Sequence, residues 1–268
     1  MSGKEHVTSE ATGLTVELVK DDRPLLEVED LHVEFRTREG VAKAVNGVSY
    51  SVAAGETLAV LGESGSGKSV TAQAIMGILD TPPGYVTGGQ VRFRGENIFD
   101  LREDDRRKLR GPSMAMIFQD ALSALNPVFS VGWQIGEMFR IHQGMSRRES
   151  KLKAIELMDR VRIPSAKDRV NDFPHQFSGG MRQRVMIAMS IALNPALLIA
   201  DEPTTALDVT VQAQVMDLLA ELQRESGMGL ILITHDLGVV AEVADRVVVM
   251  YAGRRVEEAS VYELFDHP

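Results

Sequence analysis

The stretch Gly62-Glu63-Ser64-Gly65-Ser66-Gly67-Lys68-Ser69 has the spacing G-x-x-x-x-G-K-S, which suits holding a chain of phosphates. Its glycines let the backbone turn tightly enough to aim successive N–H groups at phosphate oxygens. A helix expected to start near Lys68 adds the positive end of its dipole. Lys68 can reach β- and γ-phosphates, and the Ser69 hydroxyl can ligate Mg²⁺. A flexible glycine–serine loop would use the same letters. Here, however, the apolar run Thr57 to Leu61 precedes the loop and helically spaced residues Val70 to Leu79 follow it, the context a phosphate loop requires.

A second feature is Leu197-Leu198-Ile199-Ala200-Asp201-Glu202. An apolar strand ending in acids presents its carboxylates at the C-terminal edge of a sheet, where a phosphate loop also lies. Asp201 can enter a Mg²⁺ shell, and Glu202 can orient or deprotonate an attacking water. An acidic strand end alone often serves as a helix cap. Together with the phosphate loop, it points to a catalytic role on a bound phosphate chain.

The elements that must position these groups can be read from periodicity. Leu25 to Arg36 alternates apolar and charged residues, and Val41 to Val52 is a second strand region. Gly88-Gly89 precedes a short alternating run, and Met114 to Phe118 reads as a buried strand. After Gln119 the texture changes. Val131 to His142 and Ser146 to Val161 have helical spacing, with few strand signals before Leu197, so a helical insertion is expected. Strand and helix then alternate again: Leu197 to Ala200, Val211 to Gln223, Leu230 to Thr234, Leu237 to Ala244 and Arg246 to Met250. Such alternation predicts an α/β fold with a mostly parallel sheet flanked by helices.

Bulk properties narrow the function classes. The 268 residues are 44% hydrophobic and 25% charged, ordinary for a globular chain that buries its own core. The absence of cysteine removes disulfides and thiolate metal sites. A net charge of −9 disfavours nucleic acid and anionic lipid as partners. Arg106-Arg107-Lys108 follows Glu103, Asp104 and Asp105, as in a solvated mixed-charge helix. The longest apolar stretch, Val185 to Ala200, is broken by Ser190, Asn194 and Pro195, so it reads as too interrupted to span a bilayer.

Further motifs stand in a set order. Phe177-Ser178-Gly179-Gly180-Met181-Arg182-Gln183-Arg184 resembles the signature motif of ABC ATPases. Phe118-Gln119-Asp120 is similar to their Q-loop, Ala206-Leu207-Asp208 to their D-loop and Thr234-His235-Asp236 to their switch-histidine loop. The resemblance runs from about Leu25 to Pro268. The phosphate loop, Phe118 to Pro127, the Ser-Gly-Gly-Met form of the signature and Thr204 to Gln214 resemble in particular the group that drives peptide or nickel uptake. Ala121 departs from that group, which often has proline there. Relatives usually continue past the position of Pro268, some with a cysteine-bearing extension.

The resemblance implies a P-loop NTPase core with an N-terminal antiparallel β subdomain and an inserted α-helical subdomain. It implies an ATP-binding domain over residues 25–268, with the helical part roughly over 120–194, behind a loose polar tail over 1–24. It assigns ATP and Mg²⁺ to Gly62 through Ser69, Asp201, Asp208 and Gln119, and places the adenine against Phe35. Gln119 would touch the metal and the attacking water, and His235 would bond the γ-phosphate. Ser178, Gly179 and Gly180 would meet the γ-phosphate bound by an opposite subunit; the same serine can simply cap a helix. By residue chemistry alone, Gln119 reads as a loop glutamine, His235 as structural and Phe35 equally as a core residue.

The function so implied is an ATPase subunit that powers di- or oligopeptide import. Its expected partners are a second ATPase subunit (a paralogue rather than a self-copy), two transmembrane permease subunits and, indirectly, an extracytoplasmic solute-binding protein. Its expected place is the cytoplasmic face of the membrane, without nucleic acid. The alternatives are an importer of nickel or another small solute, an ABC ATPase working on nucleic acid or ribosomes, and a small-molecule P-loop kinase.

Overall fold

The structure, a computed structural model, describes residues 23–205 and 207–266. Residues 1–22, most of the expected tail, lie outside the described residues, as do Ala206 and 267–268. The chain opens with strands β1 (Leu26–Thr37), β2 (Gly40–Val52) and β3 (Thr57–Leu61), then helix α1 (Lys68–Met76). Strands β4 (Gly84–Phe93) and β5 (Glu96–Asn97), helix α2 (Glu103–Leu109) and strand β6 (Met114–Ile117) follow. Between β6 and the next strand run helices α3 (Ala121–Ala124), α4 (Val131–Gln143), α5 (Arg147–Arg160), α6 (Ala166–Arg169) and α7 (Gly179–Ile191). The chain then passes through β7 (Leu197–Asp201), α8 (Val209–Ser226), β8 (Gly229–Thr234), α9 (Leu237–Val243), β9 (Arg246–Tyr251), β10 (Arg254–Ser260) and α10 (Val261–Asp266).

The central sheet has the order β10-β9-β3-β8-β7-β6, and its inner strands are short and mainly apolar. It is parallel except for β10, which pairs antiparallel with β9. Strands covered on both faces need no polar alternation, and β3, β6, β7 and β8 are buried along their length. Ala115, Ile117, Leu198, Ala200, Leu230 and Leu232 belong to a core shared with the helices between β6 and β7 and with α8. Alternate residues Met114, Met116, Leu197, Ile199, Ile231 and Ile233 belong to a core shared with α1, β1, β2 and β4. The long strands β1, β2 and β4, with the two-residue β5, form a separate antiparallel sheet in the order β2-β1-β4-β5. The expected fold class is therefore the observed one.

Several boundaries differ from expectation. Helix α1 stops at Met76 rather than Leu79 because Gly77 turns left-handed (φ 63°) and its N–H caps the Ala74 and Gln73 carbonyls. Strand β4 starts at Gly84 and contains Gly88-Gly89, where the β1–β4 register shifts between Glu29 and His32. A Cβ on Gly89 would lie 2.4 Å from the Asp30 carbonyl oxygen, so only glycine fits this irregularity. Helix α8 is longer than predicted because Asp208 caps its start and left-handed Gly227 its end. The apolar stretch Val185 to Ala200 is split between α7 and β7 by a turn at Asn194 (φ 49°). Strands β5 and β10 and the short helices α3, α6 and α10 had no counterpart in the sequence reading.

Candidate functional site

Four neighbouring strands of the central sheet, β3-β8-β7-β6, end at one edge, and each delivers one candidate segment there. Strand β3 runs into the phosphate loop, β8 into His235, β7 ends at Asp201 and Glu202 follows, and β6 leads to Gln119. Parallel strands place all these segments at their common C-terminal end.

The phosphate loop turns between β3 and α1 with little room. A Cβ on Gly62 would sit 2.3 Å from the Met250 carbonyl oxygen, and one on Gly67 2.4 Å from that of Ala44. Gly65 has φ +79°, and a Cβ there would meet nothing within 4 Å, so the loop is open on that side. Glu63, Ser64 and Gly65 are exposed, whereas Ser66, Gly67 and Lys68 are buried. Lys68 Nζ donates to the carbonyls of Gly62 at 2.7 Å and Glu63 at 2.9 Å, which leaves one ammonium proton for a ligand. Ser66 Oγ is buried with no partner among the described residues. An open turn, a buried cation and an unpartnered buried hydroxyl fit a polyanionic ligand such as the phosphates of ATP.

The acids stand against this loop. Ser69 Oγ donates to Asp201 Oδ1 at 2.9 Å. Glu202 Oε2 accepts from Gln119 Nε2 at 3.0 Å and from Thr205 Oγ1 at 2.8 Å, and His235 Nδ1 lies 3.7 Å from the same oxygen. The His235 side chain is 68% exposed and Gln119 is also exposed, so both remain open to a ligand. Burial pulls the Lys68 ammonium below its ordinary pKa, against the opposing pull of the Glu202 and Asp201 carboxylates. Burial likewise pushes Asp201 up, partly offset by the Ser69 hydrogen bond, while the Glu202 charge pushes it further and Lys68 opposes.

The other residues picked from the sequence form a separate group. Ser178 caps α7 by accepting from the Met181 N–H at 3.3 Å, and the serine is exposed. Asp208 caps α8 by accepting from the Val211 N–H at 3.0 Å. The two helix starts abut. A Cβ on Gly179 would lie 3.6 Å from Leu207, and one on Gly180 2.5 Å from Val211. Phe35 is half-buried in β1, paired with Ala42 and Gly84, two residues along β2 from the Ala44 carbonyl that presses on Gly67.

Two contributors escaped the sequence reading. The β9–β10 hairpin turns on Ala252 (φ 46°) and Gly253 (φ 77°), and the Gly253 N–H donates to the Ser66 carbonyl at 3.0 Å. The Ala252-Gly253 dipeptide after an apolar run was its only signal. Thr205 was the other, hidden inside a motif whose neighbours drew the attention.

Comparison with known proteins identifies the family. The ABC transporter family model matches residues 45–205. The oligopeptide transport ATP-binding protein OppD of Bacillus subtilis (strain 168) is 54% identical over 244 residues, 91% of this chain and 68% of that protein. A putative peptide import ATP-binding protein of Brucella abortus (strain 2308) is 52% identical over 251 residues, 92% of this chain and 74% of its own length. A dimeric post-hydrolysis structure of the ATP-binding cassette MJ0796 bound to ADP and Pi superposes with a TM-score of 0.79 at 27% identity, covering 88% of this chain and 98% of that one. CbiO1 from Clostridium perfringens, part of the ABC transporter complex cbiONQ, superposes with a TM-score of 0.76 at 30% identity, covering 91% of each chain.

The buried acid gives a pH test. Because the folded-state pKa of Asp201 is raised, its proton-linked stabilisation is fully present below about pH 4, the ordinary carboxylate value, and is lost as pH rises through the folded pKa. Asp201→Asn cannot titrate. The stability of wild type minus that of Asp201→Asn, from urea unfolding without nucleotide, is expected to fall as pH rises from about 4 and then level off. A difference that stays flat or climbs would contradict the burial effect.

Proposed function

This chain belongs to the ABC transporter family, and we propose that it is the ATP-hydrolysing subunit of a di- or oligopeptide importer. The names of its peptide-import relatives support the substrate class. The observation that carries the hydrolytic part is the contact set at the sheet edge: Lys68 in its loop, Ser69 on Asp201, and Gln119 on Glu202 beside His235.

In this reading the loop N–H groups from Gly62 to Ser69 and the Lys68 ammonium hold the β- and γ-phosphates. Glu202 orients water and takes its proton, and His235 steadies the γ-phosphate. Ser69 and Asp201, with Gln119 close by, would hold Mg²⁺, a donor set that suits an ion sharing its shell with phosphates and waters. When bound, that ion neutralises phosphate charge. Phe35 stacks on the adenine. The exposed start of α7, with Ser178, Gly179 and Gly180, receives the γ-phosphate of the opposite subunit's nucleotide, with Asp208 beside it.

The working unit is two such domains head to tail, this chain paired with a paralogue. Closure around ATP shifts the helical segment between β6 and β7 and the Gln119 loop, and so acts on two permease subunits. No described helix is long and apolar enough to cross a membrane; the importer reading therefore gives the crossing to the permeases, with this chain on the cytoplasmic face. An extracytoplasmic binding protein would deliver the peptide.

Lys68→Ala should weaken ATP binding roughly ten- to hundredfold, the loss expected for a charged hydrogen-bonding group, with an unchanged circular dichroism spectrum. Wild-type affinity and hydrolysis would remove Lys68 from the site. In cells, the chain is expected to sediment with membranes only when its permeases are co-expressed, and photo-cross-linkers between Gln119 and Phe129 should capture them. Capture of nucleic acid instead, or no recruitment, would overturn the transport reading.

A further inference from the structure

The Thr205 hydroxyl makes its hydrogen bond to Glu202 Oε2, at 2.8 Å. Thr205 is exposed and absent from the hydrophobic core, so this bond is not a by-product of packing. The segment Glu202-Pro203-Thr204-Thr205 is a turn in which the Thr205 N–H donates to the Glu202 carbonyl at 3.1 Å. Pro203 stands at its second position, where a fixed φ favours such turns. Thr205 thus holds Glu202 by both main chain and side chain. Glu202 needs holding: its φ is 44°, a left-handed conformation that non-glycine residues keep only when their surroundings enforce it. On the other side, the Glu202 N–H donates to the Ile233 carbonyl at 2.9 Å.

The two oxygens of the Glu202 carboxylate are not equivalent. Oε2 accepts from both Thr205 and Gln119 and lies nearest His235. Two donors fill its in-plane lone pairs. Among the described residues Oε1 accepts no hydrogen bond.

We propose that Thr205 is a positioning residue that selects Oε1 as the base. By tying down Oε2, its hydroxyl stops the carboxylate from rotating and keeps the unpaired oxygen available for water. In the step so arranged, the water oxygen bonds to the γ-phosphorus and its proton passes to Oε1. The bond from γ-phosphorus to the β–γ bridging oxygen breaks, and its electron pair leaves on ADP. This inference rests on the role proposed above for Glu202. Gln119 supplies the second tie from a loop assigned to permease contact, so Thr205 is the tie that persists when that loop moves.

The test is steady-state ATPase kinetics on Thr205→Val, which keeps the shape and removes the donor, alone and combined with Glu202→Gln. Thr205→Val should lower kcat about tenfold or more, the loss of one hydrogen bond to a charged group, with KM for ATP within about twofold of wild type. Thr205→Ser should recover most of the rate. In the Glu202→Gln background the valine should change the residual rate less than about twofold, because it acts only through that carboxylate. Should the valine variant not fold, Thr205→Ala carries the same comparison. A normal kcat in Thr205→Val while Glu202→Gln is impaired overturns the Thr205 assignment alone. So does an equal loss in both backgrounds, or a loss that serine does not restore. Normal hydrolysis by Glu202→Gln overturns the role of the acid itself.

Discussion

The phosphate loop is wedged between two carbonyl oxygens, Met250 on one side and Ala44 on the other, each closer than 2.5 Å to where a side chain on Gly62 or Gly67 would begin. That constraint orders much of the molecule. Met250 belongs to β9 of the central sheet and Ala44 to β2 of the antiparallel sheet, so the loop is where the two sheets meet. Gly253 completes the clamp: its N–H holds the Ser66 carbonyl, its own carbonyl accepts from the Asn46 N–H at 2.7 Å, and a Cβ there would lie 2.8 Å from the Ala44 oxygen. With the loop fixed, Ser69 at the start of α1 meets Asp201 at the end of β7.

What the clamp assembles is electrostatically uncomfortable without a ligand. A buried ammonium and a buried carboxylate both have their charged forms penalised by burial, and the neighbouring Glu202 sits on a strained backbone. Such a site is preorganised for charge that arrives with the substrate. The rest of the fold supplies the rigidity to hold it, with apolar strands buried on both faces and cores on either side.

Most of this was legible in the sequence because the informative patterns are local. The glycines and lysine of the phosphate loop, the apolar run ending in Asp201 and the helical spacing of α4 and α5 each declare themselves within a few residues. What was missed depends on contacts distant in sequence. Strand β10, with its run Arg254-Arg255-Val256-Glu257-Glu258, has no strand-like apolar pattern and exists as an edge paired to β9. The left-handed Gly77 that ends α1 was overrun by the apolar Ile78 and Leu79, which pack against the core without helical geometry. Gly253 and Thr205 earn their places through hydrogen bonds that no periodicity predicts. Ser178 and Asp208 are helix caps in this chain, and capping does not exclude a second use across a dimer.

The central claim is that the sheet-edge site is half of a composite whose other half is the exposed start of α7 in a partner. It is tested most directly by light scattering during gel filtration of Glu202→Gln with the proposed paralogous partner, with and without Mg-ATP. The claim predicts an ATP-dependent dimer that Ser178→Arg abolishes, since a nucleotide bound across the interface favours the closed state. A mixture that stays monomeric with bound ATP, or a dimer indifferent to Ser178→Arg, would contradict it.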